Sequence, residues 1–178
     1  PPFLPRDRQM AADVYWAAKR LAALPVGTIA EAIAAGELEA GAQHWLYQAL
    51  HLRRASIIAR GFDVTTPCEA VTLLPRTGKA PARLLLVDLA VDEGFIRHRK
   101  IRYRVRYYDA AGREISDERR VKPRGANVVV PLPSPLASHE YVVVRVLALR
   151  NQVALPRPFE IHLKPTARGA FRLLAVRH

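Results

Sequence analysis

The sequence predicts an α+β protein, with a three-helix segment over residues 1–67 packed against a basic antiparallel β-sandwich over residues 68–178. Three observations carry this expectation. Up to about residue 60 the apolar residues recur at three- and four-residue spacing, and beyond it they fall in short alternating or all-apolar runs. From Pro75 onward, clusters of Pro, Gly, Asp and Ser interrupt the chain at short intervals. The stretch 100–108, Lys-Ile-Arg-Tyr-Arg-Val-Arg-Tyr-Tyr, alternates: Ile101, Tyr103, Val105 and Tyr107 fall on one side, Lys100, Arg102, Arg104 and Arg106 on the other. A period of two marks a strand with one face on a core and one in water.

Pro1 to Pro5 reads as an extended lead-in, because the residue before a proline is pushed out of helical backbone. A first helix is predicted over 6–24, with Met10, Val14, Ala17, Ala18 and Leu21 on its apolar side and Pro25 as its stop. Thr28 and Glu31 have capping-box spacing, Thr28 accepting from the Glu31 amide, so a second helix should span 29–35 and end at Gly36. A third is predicted over 38–60, with Trp45, Leu46, Ala49, Leu50, Leu52 and Ile57 on a broad apolar face. Gly61 stands where a left-handed C-terminal cap is expected, and Phe62 would pack back on Ile57. Trp16 and Trp45, with Tyr15 and Tyr47, read as packing anchors. The boundary at 63–68 is short, so the helices should pack directly on the β-part.

Strands are predicted at 70–74, 83–91, 100–108, 113–121, 127–132, 141–149, 159–163 and 171–176, giving a sandwich of about seven to eight strands. Asp109 to Gly112 reads as a hairpin loop pairing 100–108 with 113–121. The run 83–91 is nearly all apolar, which predicts a central strand covered on both faces, the second by the helices. Asp88 stands alone among its leucines and, once buried, needs a partner such as an arginine from a neighbouring strand. In architecture this turn-rich part resembles an immunoglobulin-type or fibronectin-type sandwich, which implies a fold and no function.

The chain has 178 residues and a net charge of +12. Residues 1–67 hold seven Lys and Arg against six acids, and residues 68–178 hold 21 against ten, so the basicity belongs to the β-part. Arginine dominates there. A guanidinium fork suits phosphate and carboxylate, although a GC-rich genome raises arginine too. The partner-binding candidates are Arg102, Arg104, Arg106 and Tyr108 of one strand, Arg113, Arg119 and Arg120 of its neighbour, and Lys122 and Arg124 of the next loop. Such a face suits a protein partner, an acidic polymer or nucleic-acid phosphates, with Tyr108 placed to stack on a base. The plainer reading is a solvated face on which Glu114, Asp117 and Glu118 make cross-strand pairs.

No catalytic residue, metal ligand or cofactor site is assigned. His44 and His51 lie seven apart with Gln48 between them, but no third ligand follows and HExxH is absent, so both read as core-edge histidines. Cys68 is the one cysteine, which excludes an internal disulfide and reads as a buried thiol. There is no GxSxG elbow, P-loop or GxGxxG turn, no RNA-recognition signature, and no apolar run of about 18 residues to cross a membrane.

The leading reading is a non-enzymatic binding or structural module that contacts a protein or acidic polymer through a basic sheet face. A nucleic-acid-binding protein using the arginine stripe is the second. A hydrolase-type enzyme is the third, with its site at the helix–sandwich junction near Cys68, His98, His139 or His162. Because Pro1-Pro2 is not a translational start, the first reading extends to an exported subunit, periplasmic or extracellular, with a cytoplasmic location as the alternative.

Overall fold

A computed structural model describes residues 11–78, 80–166 and 170–178. The predicted lead-in, the start of the first helix and most of the turn at 165–169 lie outside the described residues. The architecture is α+β, with four helices and two antiparallel sheets among the described residues. The chain divides into two compact units, 1–64 and 65–178.

The first unit contains α1 (Ala11–Ala22), α2 (Val26–Ala34) and α3 (Ala40–Asp63). Helix α1 buries Tyr15, Ala18 and Ala22. At Gly61 of α3, a Cβ would lie 2.1 Å from Ala18 Cβ and 2.9 Å from the Val14 carbonyl oxygen. Gly61 is therefore the point where two helix backbones close on each other, and a methyl group there would overpack the contact by about 1–3 kcal/mol. It is not the left-handed cap the sequence suggested, since α3 continues to Asp63. Phe62 turns to Tyr15, with ring centroids 6.1 Å apart, and Ile57 is left half-exposed. Arg54 donates from Nε and Nη2 to the carbonyls of Leu21, Ala22 and Leu24 at 2.9 to 3.1 Å, satisfying the open end of α1.

Two further expectations fail in this unit. Helix α2 begins at Val26 behind Pro25 with no side-chain cap, so Thr28 lies inside the first turn and no capping box forms. Trp16 and Trp45 are 64% and 70% exposed, so neither is a packing anchor; Tyr15 takes that place in α1.

The second unit starts at Thr65, and Thr66 shows why. Its amide and hydroxyl both donate to the Arg157 carbonyl, and its Oγ1 accepts from the Ala148 amide at 3.0 Å. The strands are β1 (Cys68–Leu74), β2 (Arg83–Asp88), β3 (Ile101–Tyr108), β4 (Glu114–Val121), β5 (Asn127–Pro131), β6 (Val142–Arg150), β7 (Val153–Ala154), β8 (Phe159–Pro165) and β9 (Phe171–Arg177), with the short helix α4 (Leu89–Asp92) after β2. One sheet has the order β1-β2-β5. The other runs β4-β3-β6-β8-β9, with β7 alongside β6. Each predicted strand falls on an observed one, and the two-residue β7 is additional.

The run 83–91 differs most from expectation. Strand β2 is central in its sheet but stops at Asp88, because the Asp88 Oδ1 accepts from the amides of Ala90 and Val91 at 2.8 and 3.1 Å and starts α4. Within β2, Leu84, Leu86 and Asp88 are fully buried and Arg83, Leu85 and Val87 are half-buried. Inward residues of both sheets form a single core, among them Leu84, Leu86, Val105, Val130, Val144 and Ile161. Two tyrosines of β3 cross it. Tyr103 donates to the Asp88 carboxylate, and Tyr107 donates to the Pro131 carbonyl at 2.6 Å. A buried phenol needs an acceptor, so each ties the six-stranded sheet to the three-stranded one. Asp88 thus takes a tyrosine and two amides, and the arginine charge expected near it is that of Arg150 on β6. Burial raises the Asp88 pKa, partly opposed by the Tyr103 bond, the Val91 amide, the Arg150 charge and the Ala90 amide.

Candidate functional site

The alternation of β3 places Ile101, Tyr103, Val105 and Tyr107 in the core and leaves Arg102, Arg104, Arg106 and Tyr108 on the outer face. What those outer residues meet is decided by register. Strand β4 sets Arg120 directly opposite Arg104 and Glu114 opposite Tyr108. On the other side, β6 sets Leu149, Leu147, Arg145 and Val143 opposite Arg102, Arg104, Arg106 and Tyr108.

At the Tyr108 end the charges are matched. Arg106 Nε donates to Glu118 Oε2 at 2.9 Å and lies 3.9 Å from Glu114 Oε1. Arg145 Nε donates to Glu160 Oε1 at 2.6 Å, and its guanidinium lies 4.6 Å from the centre of the Tyr108 ring. One face of Tyr108 is thereby covered by a cation of the same chain. The hydrogen bond that Arg106 donates to Glu118 raises the Arg106 pKa further above its ordinary value. Arg113 sits in the hairpin turn, where its Nε donates to Asp109 Oδ2 at 2.9 Å. Asp109 also accepts from the amides of Ala111 and Arg113, and these bonds, the Arg113 amide foremost, hold its pKa below the ordinary value.

At the Ile101 end the charges are unmatched. Arg99, Lys100, Arg102, Arg104, Arg120 and Lys122 line one cleft of about 750 Å³, floored by Leu149 and closed at one side by Asn151 and Gln152. None of the six makes an ion pair among the described residues. Arg102 Nη1 donates to the carbonyls of Arg99 and Ile101, which fixes its guanidinium. Arg104 Nε is enclosed and has no hydrogen-bond partner among the described residues. The 151–152 turn is anchored by the Asn151 amide on the Lys100 carbonyl at 3.0 Å.

Of the nine sequence candidates, the structure brings Arg102, Arg104, Arg120 and Lys122 into this cleft. Arg106, Tyr108 and Arg113 belong to the matched end. Arg119 lies opposite Val105, on the core-facing side of β4, where its charge acts on Tyr107. Arg124 bridges to Asn127 in the turn before β5. The sequence reading missed Arg99, Asn151 and Gln152. The run Arg-His-Arg-Lys at 97–100 and the Asn-Gln pair between two strand runs were the available signals.

The remaining chemical candidates are placed apart. Cys68 is fully buried opposite Asp88, and burial, then the Asp88 and Glu69 charges, push its thiol pKa up. His162 lies on the outer face of β8 and bonds the Tyr141 hydroxyl through Nδ1 at 2.6 Å. His139 lies by the Asp109 turn, and His98 lies in the helical turn before β3. His44 is exposed and bonds Gln48 at 2.8 Å, while His51 stacks on Tyr47. No group of three or more metal-ligating residues exists among the described residues. No helix among them is long and apolar enough to cross a membrane.

Neither a family model, a curated protein nor a solved structure matches the chain.

Proposed function

We propose that the chain is a non-enzymatic binding module whose six-stranded sheet contacts an acidic partner, either a polymer or an acidic protein surface. The observation that carries this is the Arg104–Arg120 pair, directly opposed across β3 and β4, neither of which makes an ion pair among the described residues. Like charges opposite one another in a sheet cost about 0.2–1 kcal/mol, and four more cations share the cleft. An anionic partner offsets that repulsion. An acidic partner without bases is favoured over nucleic acid, because Tyr108 already carries Arg145 on its ring. We read the scaffold as an immunoglobulin-like or fibronectin-like sandwich. The strand order β1-β2-β5 and β4-β3-β6-β8 supports that reading, with β9 as an added edge strand.

The test is retention on an immobilised sulfated polysaccharide as a function of salt. Retention should fall linearly on a log–log plot, and changing Arg102, Arg104 and Arg120 together to Gln should lower the slope by about two to three, roughly one per lost contact. An unchanged slope in that variant removes the cleft from the function.

A further inference from the structure

We propose that the Arg99–Lys122 cleft is a site for a compact ligand bearing two or more phosphoryl groups. The proposal rests on the reading of this face as anion-binding, and it narrows the ligand. Three features of the cleft point the same way.

The first is shape. These cations line a concavity of about 750 Å³ and not a flat face. That volume lies in the range that encloses small ligands, roughly 300–1,000 Å³. The second is charge density. Six cationic side chains face this one volume, and no acidic residue lines it. A carboxylate brings one negative charge, whereas a terminal phosphoryl group brings up to two on three acceptor oxygens. Two or three phosphoryl groups therefore match the cleft in a space where six carboxylates would be crowded.

The third is donor geometry. Arg102 is held by two backbone carbonyls, so its guanidinium is positioned before any ligand arrives. Arg104 carries an enclosed Nε donor with no acceptor among the described residues. Arg120 faces Arg104 from the next strand. Planar guanidinium forks on adjacent strands pair with phosphate oxygens two at a time, which single ammonium groups do not. Lys100 and Lys122 add point charges at the rim. Asn151 and Gln152 both have left-handed backbone, at φ 48° and 70°, the pattern of a tight two-residue hairpin turn between β6 and β7. Their amide side chains give the cleft a neutral polar edge that suits an ester oxygen or hydroxyl next to the phosphates.

The experiment is calorimetric titration of the full chain with inorganic tripolyphosphate, with citrate as a carboxylate anion of similar size, at fixed pH and ionic strength. Tripolyphosphate should bind at least tenfold more tightly than citrate. Arg104→Gln and Arg120→Gln should each weaken it about tenfold with little change for citrate, while Asp109→Asn, in the turn at the matched end, should leave it unaltered. A nucleoside triphosphate separates the sources of the phosphate: equal affinity assigns the site to the phosphate chain alone, and tighter binding assigns it to a phosphoester. Both support the proposal. Equal affinities for tripolyphosphate and citrate overturn it, and the anion-binding reading of the face then stands on polysaccharide retention alone. If retention also survives the triple glutamine variant, both fail. Each single variant is checked for a single cooperative thermal transition.

Discussion

The outer face of the six-stranded sheet has two ends, and the same element of structure occurs at both: a pair of arginines directly opposed across neighbouring strands. At one end the pair is Arg106 and Arg145, and each holds its own glutamate, Glu118 or Glu160. At the other it is Arg104 and Arg120, and neither makes an ion pair among the described residues. Both pairs arise from alternating strands rich in arginine. The difference lies wholly in what the register brings alongside. The matched end is a solvated sheet face, the plainer of the two readings the sequence allowed. The unmatched end leaves repulsion in place within a concave site, and it is there that we propose a partner binds.

The largest effect should come from making the second end resemble the first. Leu147 lies opposite Arg104 on β6 and is half-buried on the outer face. Leu147→Glu would set a carboxylate beside Arg104, as Glu118 is set beside Arg106. Retention on the sulfated polysaccharide should fall tenfold or more at low salt, and its salt slope should drop by about one to two. Unaltered retention would mean that charge matching does not distinguish the two ends.

The converse change should be smaller. Replacing Glu118 and Glu160 together by Gln frees Arg106 and Arg145 and extends the unmatched surface along β3. Retention should rise several-fold and the salt slope should steepen by up to about two. The gain is limited because Arg145 stays on Tyr108 and is turned from the ligand. If retention does not rise, the glutamates are not what silences this end.

The same contrast between ends shows how far the sequence is legible. Alternation along β3 is a property of one strand, so the sides of Tyr103 and Arg104 could be read from the sequence alone. Pairing is a property of two strands, and it turns on bulges that composition does not reveal. The β3–β4 register shifts between Val105 and Tyr107 and again before Tyr108. As a result Arg120, and not Glu118, stands opposite Arg104. Arg99 and the 151–152 turn reach the cleft only because β3 and β6 end side by side. Gly61 failed for a related reason. Its neighbours suggested a cap, and the need it serves is set by Ala18 on another helix, more than forty residues away. Asp88 was recognised as needing a partner, but that partner is a tyrosine from the opposite sheet, a contact with no local signature.

A smaller effect concerns stability without any ligand. Arg104 and Arg120 repel, so Arg120→Gln should stabilise the second unit by about 0.2–1 kcal/mol, a rise of a few degrees in Tm. The gain should shrink as salt rises, because screening reaches about 8 Å at 0.15 M and already relieves the repulsion in the native chain. Glu118→Gln should do the opposite, lowering Tm at low salt. Thermal melts of the two variants at low and moderate salt make the check. A destabilised Arg120→Gln would show that the arginine holds the sheet together and is not spared for a partner.

The smallest effect separates the ends by pH. The matched end closes in the turn at Asp109, whose carboxylate accepts from two amides and from Arg113. These bonds favour the charged form and depress its pKa, the Arg113 amide contributing most. A depressed carboxylate binds fewer protons folded than unfolded. Its stabilisation is therefore full above the unfolded value of about 3.9 and is lost as pH falls through the lower folded value. Asp109→Asn keeps an acceptor for the amides and loses the titration. The Tm difference between native chain and variant should be constant near neutral pH and close progressively below about pH 4. The cleft is lined by no acid, so melts of Arg120→Gln followed over the same range should run parallel to the native chain. Divergence of those curves at acid pH would place a carboxylate next to Arg120 and erase the difference between the two ends.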